Sequence, residues 1–127
     1  MAFLFENLDV YKKSLVWTEH VEAICKSAKN LASPNLLDQL SRAALSIPLN
    51  IAEGNGRWHK PDKRQFFWVA RGSAFECLPI LNILSKVGVI NEEQHEEYRS
   101  KLDELAKMLS GLIKSTEDVR TELKASK

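Results

Sequence analysis

Apolar side chains recur along most of this chain at steps of three, four or seven residues. Val10, Trp17, Val21, Ile24 and Ala28 establish this pattern in the first quarter of the sequence. The spacing places them on one face of an α-helix, which completes a turn in about 3.6 residues. Only five glycines and four prolines interrupt the chain, which favours long helices over a sheet.

Capping residues mark where the helices begin. Asn7 or Asp9 is expected to cap the first helix and Ser33 the second, since short polar side chains bind the free N–H groups there. Asn91 and Gln94 have the spacing of a capping box at the start of the last helix. The sequence predicts four helices, over residues 8–32, 34–55, 60–87 and 91–121.

Glycines mark where the two middle helices end, and prolines lie inside them. Gly54 and Gly56 are expected to end the second helix and Gly88 the third, because glycine readily takes the left-handed conformation. Pro48 and Pro79 each remove a helical hydrogen bond, at a cost of about 3 kcal/mol. The apolar period continues past both, so we predict two continuous helices that are kinked at these prolines.

The predicted connections are only about two to six residues long, and short connections force neighbouring helices to run antiparallel. The fold class is therefore all-α, an antiparallel up-down-up-down four-helix bundle. Residues 1–127 are expected to form a single domain. A chain of this length buries roughly two thirds of its unfolded surface, so it needs neither a disulfide nor a metal to fold.

Charge and hydropathy exclude several classes of protein. The formal net charge is +1, so any nucleic-acid contact must come from a local patch. The N-terminus lacks the regions of a signal peptide, and no apolar run reaches the roughly 20 residues that span a bilayer. Cys25 and Cys77 have neither metal-type nor redox-type spacing, which indicates buried thiols in a reducing, cytoplasmic compartment.

A basic cluster with an aromatic residue inside it falls at the predicted turn between the second and third helices. This basic turn consists of Arg57, Trp58, His59, Lys60, Lys63 and Arg64. Cations bind a phosphate backbone and an exposed ring stacks on a base, so these residues are the candidate nucleic-acid-binding site. The alternative is a solvated loop whose charges keep this end of the bundle soluble.

The third helix has more apolar residues than one core-facing stripe requires. The additional residues are Phe66, Val69, Phe75, Ile80 and Ile83. A surplus of this kind is typical of a subunit interface, so these residues are the candidate oligomer interface. The alternative is that the first helix of the same chain covers them.

Two charge pairs are predicted from spacing. Glu53 and Arg57 stand four residues apart with the acid first, which favours an intrahelical ion pair. A hairpin centred near His59 sets Arg42 beside Glu76 on the facing helices. We expect Arg42 and Glu76 to form a partly buried pair, whose disruption would leave a charge stranded.

No catalytic constellation is found in the sequence. Glu92-x-x-His95 has the spacing of di-iron bundles, but those need two such motifs and glutamates from two further helices. The chain has no Ser/His/Asp set, phosphate-binding glycine loop or cysteine cluster. We therefore expect a protein that is not an enzyme, with no catalytic residue, no metal site and no cofactor.

Three stretches together resemble a known family: SIPLNIAEGNGR (46–57), ARGSAFE (70–76) and MLSGLIKS (108–115). The chain is similar to the four-helix-bundle proteins of bacteria first described as encoded by intervening sequences in 23S ribosomal RNA genes. The motif positions that carry the resemblance are Pro48, Asn50, Glu53, Gly54, Gly56, Arg57, Arg71, Gly72 and Glu76.

The resemblance implies a ring-shaped homopentamer. A related branch serves diversity-generating retroelements by binding reverse transcriptase and RNA; that branch is basic, unlike this chain. We therefore expect a non-enzymatic, homo-oligomeric scaffold or binding module, with RNA or a nucleoprotein as its partner through the basic turn. The alternative is a purely structural or protein-interaction oligomer that binds no nucleic acid.

Overall fold

The computed structural model describes residues 2–117, which form a 3₁₀ turn followed by four α-helices. The turn covers Leu4–Asn7, and the helices are α1 Asp9–Ala28, α2 Pro34–Asn55, α3 Lys60–Lys86 and α4 Glu92–Ser115. Each helix packs against its neighbour in sequence, α2 and α3 most extensively, and α1 and α4 close the bundle with the smallest contact. The predicted four-helix bundle is confirmed.

The bounds of the two middle helices agree with the prediction to within one residue, whereas the outer helices are shorter. α1 ends at Ala28 instead of residue 32, and Asn30 follows in the left-handed conformation at φ 72°. Asparagine tolerates this conformation better than most residues, which explains the early end. α4 ends at Ser115, and the predicted range beyond residue 117 lies outside the described residues.

The predicted capping box of α4 is confirmed. The Asn91 side chain accepts a hydrogen bond from the Gln94 N–H at 2.7 Å, and the Gln94 side chain accepts one from the Asn91 N–H at 2.9 Å. The predicted cap of α1 is wrong, because Leu8 occupies that position. Ser33 occupies the N-cap position of α2 as predicted, but its side chain makes no capping hydrogen bond.

The predicted left-handed glycine is confirmed at one helix end and wrong at the other. Gly88 has φ 79° and follows α3, where its N–H donates to the Ser85 carbonyl and the Val89 N–H donates to the Leu84 carbonyl. These two bonds form a Schellman motif. Gly56, at the end of α2, has φ −76° and stays in the right-handed region.

Pro48 lies inside α2 and is buried, and the helix continues through it. A proline at this position leaves the carbonyl of Ala44, four residues earlier, without its helical donor. The Thr18 hydroxyl of α1 lies 3.4 Å from that carbonyl and also donates to the Ser14 carbonyl at 2.8 Å. α3 likewise runs unbroken through Pro79; the kink at each proline stays a prediction.

α2 and α3 approach each other closely along their shared face. The Ser73 hydroxyl donates to the Ser46 hydroxyl at 2.8 Å, which places these residues opposite one another, one position from the predicted register. Near the hairpin turn, a Cβ added to Gly54 would lie 2.6 Å from Cε1 of Phe67 and 3.0 Å from Cβ of Phe66. Only glycine fits there without displacing a neighbour.

The predicted pair between Arg42 and Glu76 does not form. Arg42 Nε instead donates to Asp38 Oδ2 at 2.8 Å, one turn earlier on the same helix. Both Arg42 and Glu76 are exposed at the outer edge of the hairpin. The pairing was wrong although the register was nearly right, because a partner four residues away on the same helix is easily reached by a long, solvated side chain.

Gly54→Ala is expected to destabilise the fold by about 1–3 kcal/mol, the usual cost of overpacking a filled core site. Gly111→Ala is the matched control, because a Cβ at Gly111 in α4 meets nothing within 4 Å. Alanine in an open helical position should stabilise by up to about 1 kcal/mol. Urea unfolding followed by circular dichroism measures both, and equal effects would contradict the proposed steric role.

Candidate functional site

The basic turn lies between the end of α2 and the start of α3, at the end of the bundle where α4 also terminates. Arg64 establishes this geometry, since its guanidinium contacts Thr116 just after α4. The N-terminal 3₁₀ turn lies at the same end, where Phe3 and Leu4 line a broad surface depression with Gly56 and Arg57. The end of α2, the start of α3, the end of α4 and the N-terminal segment therefore meet beside the candidate residues.

Lys63 and Arg64 are used to hold helix ends together. Lys63 Nζ donates to the Asn55 carbonyl at 2.7 Å and to the Gly54 carbonyl at 3.4 Å. Arg64 donates to the Thr116 hydroxyl at 3.0 Å and to its carbonyl at 2.9 Å. The last carbonyls of a helix carry partial negative charge, so a cation stabilises them in both places.

Arg57 is also engaged within the chain. Its guanidinium contacts the Glu53 carboxylate at 3.3 Å, which confirms the predicted intrahelical ion pair. Its Cζ lies 4.6 Å from the centre of the Phe66 ring, the geometry of a cation–π contact. Phe66 is half-buried beneath it, so Arg57 covers an apolar ring as well as pairing an acid.

Trp58, His59 and Lys60 are the residues of the basic turn that are exposed and not engaged by another side chain of residues 2–117, whereas the exposed Arg57 is held by Glu53 and Phe66. The Trp58 side chain is 90% exposed. His59 and Lys60 are exposed and form no hydrogen bond or ion pair with side chains of residues 2–117. An indole so exposed can stack on a planar group, and the neighbouring Lys60 ammonium can contact a phosphate.

An apolar stripe faces outward on α3. Trp68 is 51%, Phe75 53% and Ile83 45% exposed, and the exposed Gly72 and Pro79 lie between them. Sequence reasoning missed Trp68, although its steps of seven and eight to Phe75 and Ile83 repeat at helical spacing, because the core stripe beginning at Phe67 dominated the pattern.

Two residues of the predicted oligomer interface are less exposed, and so less able to contact another subunit, than the prediction requires. Ile80 is 8% exposed and belongs to the chain's own core, and Phe66 is half-buried under Arg57. Val69, Phe75 and Ile83 are exposed as the interface prediction requires. We define the outer hairpin face as the half-exposed apolar residues of α2 and α3: Leu45, Leu49, Trp68, Val69, Phe75 and Ile83.

Arg71 orients the two aromatic residues of this face. Its Cζ lies 5.5 Å from the centre of the Trp68 ring and 4.5 Å from that of Phe75. Its Nε donates to the Ser110 hydroxyl of α4 at 2.9 Å, which anchors the guanidinium on the bundle. One side chain therefore holds both rings in place at the surface.

The remaining motif residues have mostly structural positions. Asn50 Nδ2 donates to the Ser46 carbonyl at 2.8 Å and to its hydroxyl at 3.0 Å, next to the buried Pro48. A Cβ at Gly72 would meet open space, and Glu76 is exposed without an ion pair in the described part of the chain. These residues shape the α2–α3 hairpin and leave its outer surface open.

The cysteines and His95 do not form a reactive centre. Burial is the main cause that raises the pKa of the Cys77 thiol to about 11, and burial also raises the pKa of Cys25. Both thiols therefore stay protonated near neutral pH, which makes them poor nucleophiles. His95 Nε2 lies 2.7 Å from Asn82 Oδ1, and residues 2–117 contain no cluster of three metal-ligating side chains.

The family model described as 23S rRNA-intervening sequence protein matches residues 6–111. The chain belongs to this family. A similar solved structure, at 1.70 Å resolution, is a protein of unknown function from the S23 ribosomal protein family of Bacteroides thetaiotaomicron. It is 26% identical, with a TM-score of 0.79 over 83% of this chain and 98% of that one. No curated protein matches the sequence.

This family is not a known enzyme family. Among the helices of residues 2–117, none is long and apolar enough to cross a membrane. The outer hairpin face and the exposed residues of the basic turn are the two surfaces on which the sequence-based candidates lie.

Lys63→Ala and Arg64→Ala are each expected to lower the free energy of unfolding by about 1–2 kcal/mol, because each removes charge-assisted hydrogen bonds to a helix end. Lys60→Ala is the control, a neighbouring exposed cation without such bonds, and should change stability by less than about 0.5 kcal/mol. Chemical denaturation compares the three; equal losses would show that Lys63 and Arg64 do not cap α2 and α4.

Proposed function

We propose that the protein is a non-enzymatic, homo-oligomeric scaffold, a closed ring of five copies assembled through the outer hairpin face. The observation that carries this proposal is the outward stripe of Trp68, Phe75 and Ile83 on α3. Exposed apolar surface that includes large aromatic rings often marks interaction sites in soluble proteins.

The extent of the apolar surface supports self-association. Six large apolar side chains of α2 and α3 are at least 44% exposed, which is costly to leave in water. Homo-oligomers with closed symmetry are the commonest assemblies of soluble proteins. The resemblance of the sequence to a family of ring-forming bundles agrees with a head-to-tail arrangement.

Arg71 makes the face suitable for specific packing. Because it holds Trp68 and Phe75 by cation–π contacts and is anchored to Ser110, the rings lose little side-chain entropy when a second copy covers them. Preordered aromatic residues beside an arginine are also the composition of interface hot spots.

The double substitution Trp68→Glu and Phe75→Glu is expected to convert the oligomer into a folded monomer, because two buried charges would oppose association. Sedimentation velocity at micromolar concentration measures the change, with five chain masses expected for the native protein. Val87→Glu is the control, since Val87 is 63% exposed beyond the end of α3. A native protein that sediments as a monomer would refute the proposal.

RNA binding through the exposed half of the basic turn is a second candidate function. Trp58 supports it, because a solvent-facing indole beside His59 and Lys60 provides a stacking surface and positive charge. A ring would repeat this element on one end, and the repetition would raise a weak affinity.

Trp58→Ala combined with Lys60→Glu is expected to weaken RNA binding by about 1–3 kcal/mol for each stacked base lost. Lys63 and Arg64 are unsuitable targets because their loss would disturb helix ends. Lys86→Glu, with the same charge change at the far end of α3, should bind as the native protein does. Fluorescence anisotropy with labelled RNA tests this, and unchanged affinity in the double variant would exclude the basic turn as the binding site.

A further inference from the structure

We propose that a crevice between α1 and α4 binds a small aromatic carboxylate. α1 and α4 form the least extensive contact of the bundle, and they leave an opening of about 270 Å³. That volume is near the lower end of small-molecule sites in proteins, large enough for one or two fused rings.

The floor of the crevice is apolar. Trp17 and Leu105, each 2% exposed, line it from α1 and α4, and Val16 borders it with half of its side chain in water. A flat apolar ligand placed there would cover Val16 and contact the Trp17 ring. Burial of this surface would favour binding at about 25 cal/mol for each Å² removed from water.

The charges around the crevice leave one positive charge uncompensated. Lys13 of α1 and Glu104 of α4 pair with each other across the opening, and so neutralise each other. Lys101 also lines the crevice, is half-buried, and forms no ion pair or hydrogen bond within residues 2–117. Glu97, one turn before Lys101 on α4, is exposed and does not pair with it.

His20 limits the crevice at its other end. Its ring lies 6.3 Å from that of Tyr98, which in turn makes an edge contact with Trp17 at 6.1 Å. The opening is therefore bounded by the Lys13–Glu104 ion pair at one end and by the His20 ring at the other, and Lys101 lines it from α4. An aromatic carboxylate fits this site, because its ring would lie on the apolar floor at Trp17 and its carboxylate would lie near Lys101. A partly desolvated cation is stabilised strongly by a nearby anion.

The test uses 2-naphthoate and the uncharged 2-naphthylmethanol, which share the same ring system. The three tryptophans give separate indole N–H signals in ¹H–¹⁵N TROSY spectra of the full chain. We expect naphthoate to shift the Trp17 signal saturably, while the signals of Trp58 and Trp68 stay in place. Naphthylmethanol should bind at least about fivefold more weakly, because it lacks the interaction of the carboxylate with Lys101. A fivefold factor corresponds to roughly 1 kcal/mol.

Lys101→Glu should weaken naphthoate binding by more than about fivefold, and Lys101→Met, which keeps the apolar stem, by about fivefold. Lys12→Glu is the control because Lys12 is exposed on α1 and does not line the crevice. It makes the same charge change as Lys101→Glu and should leave the affinity unchanged. The spectra themselves report whether each variant is folded.

Three results would overturn the proposal. Equal affinities for naphthoate and naphthylmethanol would show an apolar crevice without charge selection. Shifts confined to Trp58 or Trp68 would show that the ligand prefers the exposed aromatic surfaces. No saturable shift of Trp17 would show that the crevice is closed to ligands, for example because a second copy of the chain covers it.

Discussion

The α2 backbone meets the Phe67 ring at Gly54, where the ring fills the space that a side chain would need. This contact, continued by the Ser46–Ser73 hydrogen bond, sets the register of the α2–α3 hairpin. The register in turn places the buried stripes of both helices against each other and leaves the opposite side of α3 uncovered by the rest of residues 2–117. Both the core and the outer hairpin face therefore follow from how closely two backbones approach.

Polar side chains lie beside backbone carbonyls that lack a helical donor, both where a helix is interrupted and where it ends. Thr18 lies beside the carbonyl that Pro48 leaves without a helical donor, while Lys63 and Arg64 donate to the ends of α2 and α4. Lys63 and Arg64 thereby satisfy backbone carbonyls that would otherwise lose hydrogen bonding on burial. Lys63 and Arg64 are consequently part of the fold, whereas Trp58 and Lys60 of the same turn are exposed to solvent.

The candidate site could be predicted only in part, because spacing along a chain does not specify where a flexible side chain points. The Glu53–Arg57 pair was predictable, since both residues stand on one helix face at a fixed separation. The partners of Arg42 and Arg64 were not, since a long side chain selects among several nearby acceptors in three dimensions. The outward position of Trp68 was not predicted either, because it is clear only once the buried face of α3 is known.

The sequence by itself determined the number of helices, their antiparallel order, the bounds of α2 and α3 and the capping box of α4. These depend on local periodicity and on neighbours within a few residues, which a sequence shows directly. Only the tertiary structure decided which apolar residues of α3 are buried, which cations are engaged and where α1 and α4 separate. Those outcomes depend on distances between helices, which packing of the whole core sets and no single segment encodes.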